Sequence, residues 1–73
     1  MKGYFLLFTT SSALYAYEVL KDKPNMEVSL VPTPREFSSD CGMAIYIESE
    51  NIKEAAHTLD KERIEYEYHD ALQ

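Results

Sequence analysis

The chain has 73 residues, with 13 acidic against 7 basic side chains and a formal net charge of −6. No basic stripe is present, so the charge excludes a nucleic-acid footprint and disfavours an anionic membrane surface. A single cysteine excludes an internal disulfide, and with two histidines far apart in sequence it makes no zinc pattern, so no metal or cofactor is expected.

Seventy-three residues are read as one domain, 1–73, whose core contributes on the order of 3–5 kcal/mol of net stability. Association is the remaining way for such a chain to gain stability. The N-terminal apolar run, Tyr4 to Phe8, is shorter than the roughly 7–15 residues of a signal-peptide core. No stretch approaches the roughly 20 apolar residues of a membrane span. A free thiol suits a reducing compartment, so a cytoplasmic location is expected.

Tyr4 to Phe8 is continuously aromatic and aliphatic, which suits a central strand buried on both faces. Thr9-Thr10-Ser11-Ser12 supplies hydroxyls that can cap a helix. Ala13, Ala16, Tyr17 and Leu20 fall on one helical face, predicting a helix from about Ser12 to Asp22, stopped by Pro24-Asn25. Met26, Val28 and Leu30 alternate, predicting a half-buried strand to Val31.

After the Pro32 to Asp40 loop, Met43, Ile45 and Ile47 alternate in a third strand, Gly42 to Glu48. Asn51 and Glu54 have the spacing of a capping box. Ile52, Ala55, Ala56 and Leu59 give the second helix one apolar face, to about Arg63. Ile64, Tyr66 and Tyr68 share one face of a last strand, reaching His69. His57 and His69 read as surface residues. Tyr15, Tyr17, Tyr66 and Tyr68 read as packing residues, and Glu65 and Glu67 as a solvated face.

The order βαββαβ predicts an α+β, ferredoxin-like domain: a four-stranded antiparallel sheet with both helices on one face. Right-handed crossovers give spatial order 4-1-3-2. The end of the first strand, the start of the first helix and the second-to-third strand loop then share one end of the domain. The opposite sheet face is expected to carry Phe5 and Leu7 or their alternates, with Ala44 and Tyr46, rimmed by Glu27, Ser29, Glu65 and Glu67. An apolar centre inside a polar rim points to a homo-oligomer, in the simplest case a symmetric dimer, formed through this open face.

The loop Pro32-Thr33-Pro34-Arg35-Glu36-Phe37-Ser38-Ser39-Asp40-Cys41-Gly42 holds two of the three prolines and the only cysteine. A thiol becomes nucleophilic as thiolate. A helix N-terminus at Ser11 and Ser12, and Arg35 folded back, would favour the thiolate. Ser38, Ser39 and the Gly42 N–H can donate hydrogen bonds to it. Asp40 opposes ionisation, because a neighbouring negative charge raises a thiol pKa. A lone cysteine at a strand start is equally a small buried hydrophobe, and Arg35 can simply pair with Glu36. On residue chemistry alone, reactive and inert thiol both stand.

These residues carry a resemblance. The Pro32-Thr-Pro-Arg-Glu36 and Ser39-Asp-Cys-Gly42 pieces at this spacing, with the Phe8-Thr-Thr-Ser helix start and Glu18-Val-Leu-Lys21, resemble the selenium/sulfur carrier-like family of small bacterial domains. The resemblance implies that Cys41 accepts sulfur or selenium as a persulfide or selenosulfide, with Arg35 as its companion and with donor and acceptor proteins as partners. The alternative is a non-catalytic anion-binding or protein-interaction module using the same loop and the open sheet face. A stand-alone enzyme is poorly equipped here, with one thiol, no resolving cysteine and no nearby histidine base.

Overall fold

A computed structural model of the chain describes residues 1–37 and 42–71. The elements are β1 (Lys2–Leu7), α1 (Thr10–Leu20), β2 (Met26–Pro32), β3 (Met43–Ser49), α2 (Ile52–Lys61) and β4 (Tyr66–Asp70). The sheet order is β2-β3-β1-β4 with every neighbouring pair antiparallel. This is the ferredoxin-like βαββαβ arrangement that the strand and helix periodicities predict.

The register explains the core. Phe5 lies opposite Ile45 and Tyr68, and Gly3 opposite Ile47. Phe5, Leu7, Ile45 and Ile47 therefore share one face, which meets Ala13, Ala16 and Leu20 of α1 and Ile52, Ala55 and Leu59 of α2. The largest fully buried side chains are Phe5, Leu7, Leu20, Ile45, Ile47 and Leu59. Each such burial stabilises the fold by roughly 1.5–3 kcal/mol before the entropy of ordering is subtracted. Alanines at the helix contact positions let both helices approach the sheet closely.

Three helix boundaries differ from the periodicity reading, for local reasons. Helix α1 starts at Thr10 rather than Ser12, because Thr9 is the cap: its Oγ1 accepts the Ser12 N–H at 3.0 Å. It also ends earlier, at Leu20, with Lys21 as its cap. At α2 half of the expected capping box forms. Asn51 Oδ1 accepts the Glu54 N–H at 3.2 Å, but the Asn51 N–H donates to Ser49 Oγ at 3.0 Å. The Ser49 hydroxyl is buried and in turn donates to the Asn25 carbonyl, joining the β2 start to the α2 start.

Helix α2 stops at Lys61 through a Schellman closure. The Ile64 N–H bonds Leu59 O and the Arg63 N–H bonds Asp60 O, both at 3.0 Å. Arg63 takes the left-handed conformation that this turn requires, with φ 59°. Ile64 packs into the core there, and β4 begins only at Tyr66. Glu65 therefore lies outside the strand, not on its solvated face beside Glu67.

Candidate functional site

The candidate site is the loop joining β2 to β3. Pro32 opposite Met43 is the last ladder pair before it. One further bond closes it: the Thr33 N–H donates to the Gly42 carbonyl at 3.0 Å. Gly42 has φ 75°, and a Cβ built there would meet nothing within 4 Å. Glycine is needed at this position for its backbone conformation, not for space. Cys41 is thus bonded directly to a residue held in a left-handed turn at the mouth of the loop.

Beyond Thr33 the chain turns again. The Phe37 N–H donates to the Pro34 carbonyl at 3.0 Å, placing Arg35 and Glu36 at the corner of a tight turn. Both are exposed. Arg35 makes no ion pair with Glu36 or with any other of the described residues. Cys41, Ser38 and Ser39, together with Asp40, lie outside the described residues.

The register places this loop at the α1 end of the sheet. Leu6 pairs with Ala44, so the same register carried two residues on sets Gly42 opposite Phe8, next to the Thr9 cap. Ser12 gives its backbone N–H to that cap. Ser11, exposed in the first turn, and Thr10 have no partner for their N–H groups among the described residues. No acidic side chain sits in that first turn. Donors without a carboxylate beside them make this helix end attractive to an anion.

The open sheet face differs from a simple apolar patch. Phe5 and Leu7 point into the core, so their alternates Tyr4 and Leu6 take the other face. Tyr4 lies opposite Tyr46 on β3 and His69 on β4. The Tyr4 and Tyr46 rings are 5.3 Å apart. The loop sends Phe37 onto this face: its ring stacks on His69 at 4.4 Å and 21°, and lies 5.9 Å from Tyr4. Leu6 and Ala44 are buried within the single chain. A second copy docking on this face would meet Phe37 and its aromatic neighbours rather than a bare Leu6 and Ala44.

Polar groups border this cluster. His69 Nε2 is 3.4 Å from Glu67 Oε1, and the Tyr46 hydroxyl donates to Glu48 Oε1 at 3.2 Å. Burial pushes the Tyr46 phenol pKa up, and the Glu48 carboxylate adds to the rise. His69 is half-buried beneath Phe37, not the plain surface residue its outward strand position suggests. His57 is exposed on α2, as expected. Tyr66 and Tyr68 pack on Phe5 with ring centroids 5.1 and 5.0 Å away. Tyr15 instead lies exposed, its hydroxyl bonded to Glu62.

The gathering of Phe37, Tyr4, Tyr46 and His69 is the part of the site that strand periodicity misses. Its one signal in the sequence is Phe37 itself, a lone aromatic between Arg35-Glu36 and Ser38-Ser39-Asp40. A groove lined by Asn25, Ser49, Glu50, Asn51 and Glu54 lies where β3 runs into α2, at the far end of the sheet from this loop. No group of three or more His, Cys, Asp or Glu side chains among the described residues is placed to hold a metal ion. None of the described helices is long and apolar enough to cross a membrane.

Fold and loop together define a ferredoxin-like domain whose only cysteine lies in the β2–β3 connection, at the α1 end of the sheet. The chain belongs to the family described as "Putative Se/S carrier protein-like", which matches residues 2–69. No curated protein and no solved structure matches the chain.

Proposed function

We propose that the protein carries a sulfur or selenium atom on Cys41 between a donor and an acceptor protein, in the reducing cytoplasm, as a single 73-residue domain. Family membership across residues 2–69 is the observation that carries this reading. The closed loop supports it. The Thr33–Gly42 bond and the left-handed Gly42 tie the residue after the cysteine to the end of the sheet that carries the α1 start.

The chemistry needs no cofactor. The Cys41 thiolate attacks the terminal sulfur of a donor persulfide. The donor's S–S bond breaks, and the donor departs as a thiolate with the electron pair. Cys41 is left as a persulfide, and no net oxidation or reduction occurs. Attack on the selenium of a donor selenosulfide leaves Cys41 as the corresponding selenosulfide. Passing the atom on repeats the step with the acceptor's nucleophile attacking. Arg35, Ser11, Ser12, Ser38, Ser39 and the Gly42 N–H are the groups proposed to stabilise the sulfur anion.

Intact-mass measurement after incubation with a persulfide donor tests this reading. Wild type should gain the mass of one sulfur atom, and Cys41→Ser should gain none. Equal adducts on both, or none on wild type, would refute it.

A second reading rests on the exposed Arg35 at its turn and the uncapped Thr10 and Ser11 N–H groups. These would serve a module that binds an anion without covalent chemistry. Such a module would tolerate Cys41→Ser and lose binding with Arg35→Ala.

A further inference from the structure

The strand register lays out a charge pattern on the open sheet face. Ser29, Tyr46, Tyr4 and His69 stand in one line across the four strands. Glu27, Glu48 and Lys2 stand in the line beside it, and Leu6 faces Glu67 in the line on the other side. Phe37 adds its ring, stacked on His69. A band of half-buried rings thus runs between exposed carboxylates.

Two features of the band select a cationic partner. Rings and carboxylates are paired on it: the Tyr46 hydroxyl donates to Glu48 at 3.2 Å, and Glu67 lies 3.4 Å from His69. A guanidinium can lie on such a ring and fork onto the carboxylate at its rim. Glu27 and Glu48 also face each other directly across β2 and β3, an arrangement that costs stability in the free chain. Neither makes an ion pair among the described residues, although Lys2 is opposite Glu48.

We propose that the open sheet face docks a protein segment bearing arginines, whose guanidinium groups stack on Tyr4, Tyr46 and Phe37 and pair with Glu27, Glu48 and Glu67. Lys2, and Arg35 on the turn leading to Phe37, are outnumbered by these carboxylates and Glu36. Single-stranded nucleic acid also stacks on aromatic side chains, but its phosphates would meet the same carboxylates. A second copy of this chain would bring an equal excess of negative charge. The docking surface does not depend on the carrier reading, since it holds a partner whether or not Cys41 carries an atom.

The experiment titrates hexa-arginine peptide into the isotope-labelled chain while NMR follows the amide shifts. The salt is about 0.15 M, where a Debye length of about 8 Å screens charges on the helix side. Shifts should concentrate in the four strands and spare α1 and α2. Tyr46→Leu should weaken binding about two- to fivefold, and Glu27→Gln by a similar factor. Glu27→Gln should at the same time raise the melting temperature of the free chain, by relieving its opposition to Glu48. A merely structural role would move affinity and stability together. Glu18→Gln/Glu54→Gln removes carboxylates from the two helices and should leave binding unchanged. Hexalysine has the charge without the planar stack and should bind more weakly.

Absence of shifts at millimolar peptide would overturn the proposal. Shifts spread over both helices, or a helix-side variant as weak as Glu27→Gln, would reduce the effect to net charge and overturn it too. So would oligothymidine binding the face more tightly than hexa-arginine, or a stable dimer formed through the same strands. If Tyr46→Leu fails to fold, Glu27→Gln reads the same face. Sulfur adduct mass on Cys41 is a separate readout, so this proposal and the carrier reading can fail independently.

Discussion

Gly3 sits in the middle of the sheet and is buried, although a glycine in a strand ordinarily weakens it. The reason is Tyr68, which lies across it from β4. A Cβ at position 3 would come within 2.0 Å of Tyr68 Oη, 2.4 Å of Cζ and 2.5 Å of Cε1. Ordinary contact begins near 3.4 Å. Gly3→Ala must therefore push the phenol ring by more than about 1 Å, out of its packing 5.0 Å from Phe5. Overpacking of this kind costs about 1–3 kcal/mol. In a domain of this size each kcal/mol lowers the melting temperature by about 4–8 °C.

Thermal and urea melts of Gly3→Ala, Tyr68→Ala and the double variant measure the effect. The alanine should destabilise the wild-type background. With the ring gone, the same substitution should become neutral or stabilising by about 0.5–1 kcal/mol, since alanine costs less backbone entropy than glycine. A Gly3→Ala cost below about 0.5 kcal/mol in wild type would show that the ring moves freely. An unchanged cost in the Tyr68→Ala background would show that the ring is not the obstacle.

The remaining predictions concern alkaline stability and a helix end. The Tyr68 hydroxyl is buried with no hydrogen-bond partner among the described residues. Burial first, and the Asp70 carboxylate acting as a nearby charge, push its pKa up to about 12 from 10.0. Between those values the folded chain holds a proton that the unfolded chain has released. The stabilisation is complete below about pH 10 and is lost as pH rises through about 12, on the order of 2 kcal/mol in all. Tyr68→Phe should remove most of that loss in urea melts at increasing pH. A shallower slope remains from Tyr66, raised in the same direction by burial and Asp60, and from Tyr46 and Tyr15, whose phenols are raised likewise beside Glu48 and Glu62. An alkaline slope unchanged by Tyr68→Phe would refute this assignment. Arg63→Gly should raise stability by about 0.5–1 kcal/mol in the same melts, because glycine adopts φ 59° without the Cβ strain of arginine. A loss of stability would mean that the Arg63 side chain contributes more than its backbone costs.

Much of the fold was legible in the residue order. Alternation at Met43, Ile45 and Ile47, and helical spacing at Ile52, Ala55 and Leu59, each commit a face to the core. Burial of those faces leaves the four-stranded arrangement with two helices on one side. The helix boundaries were less legible. Which of Thr9 to Ser12 caps α1, and whether Asn51 is served by Glu54 or Ser49, depends on competing hydrogen bonds of similar strength.

The loop stands out by its composition, which marks Pro32, Pro34, Arg35, Cys41 and Gly42. Two facts about it needed three dimensions. Gly42 is required for its left-handed backbone, a property no spacing reports. Phe37 leaves the loop to stack on His69, which is 32 positions away in sequence but brought beneath it by the pairing of β4 with β1. Sequence by itself determined which residues could form each strand and helix, because local periodicity and capping act over a few neighbours. The tertiary structure decided which faces meet and how the cysteine loop is anchored, because contacts between distant residues exist only once the sheet register has been set.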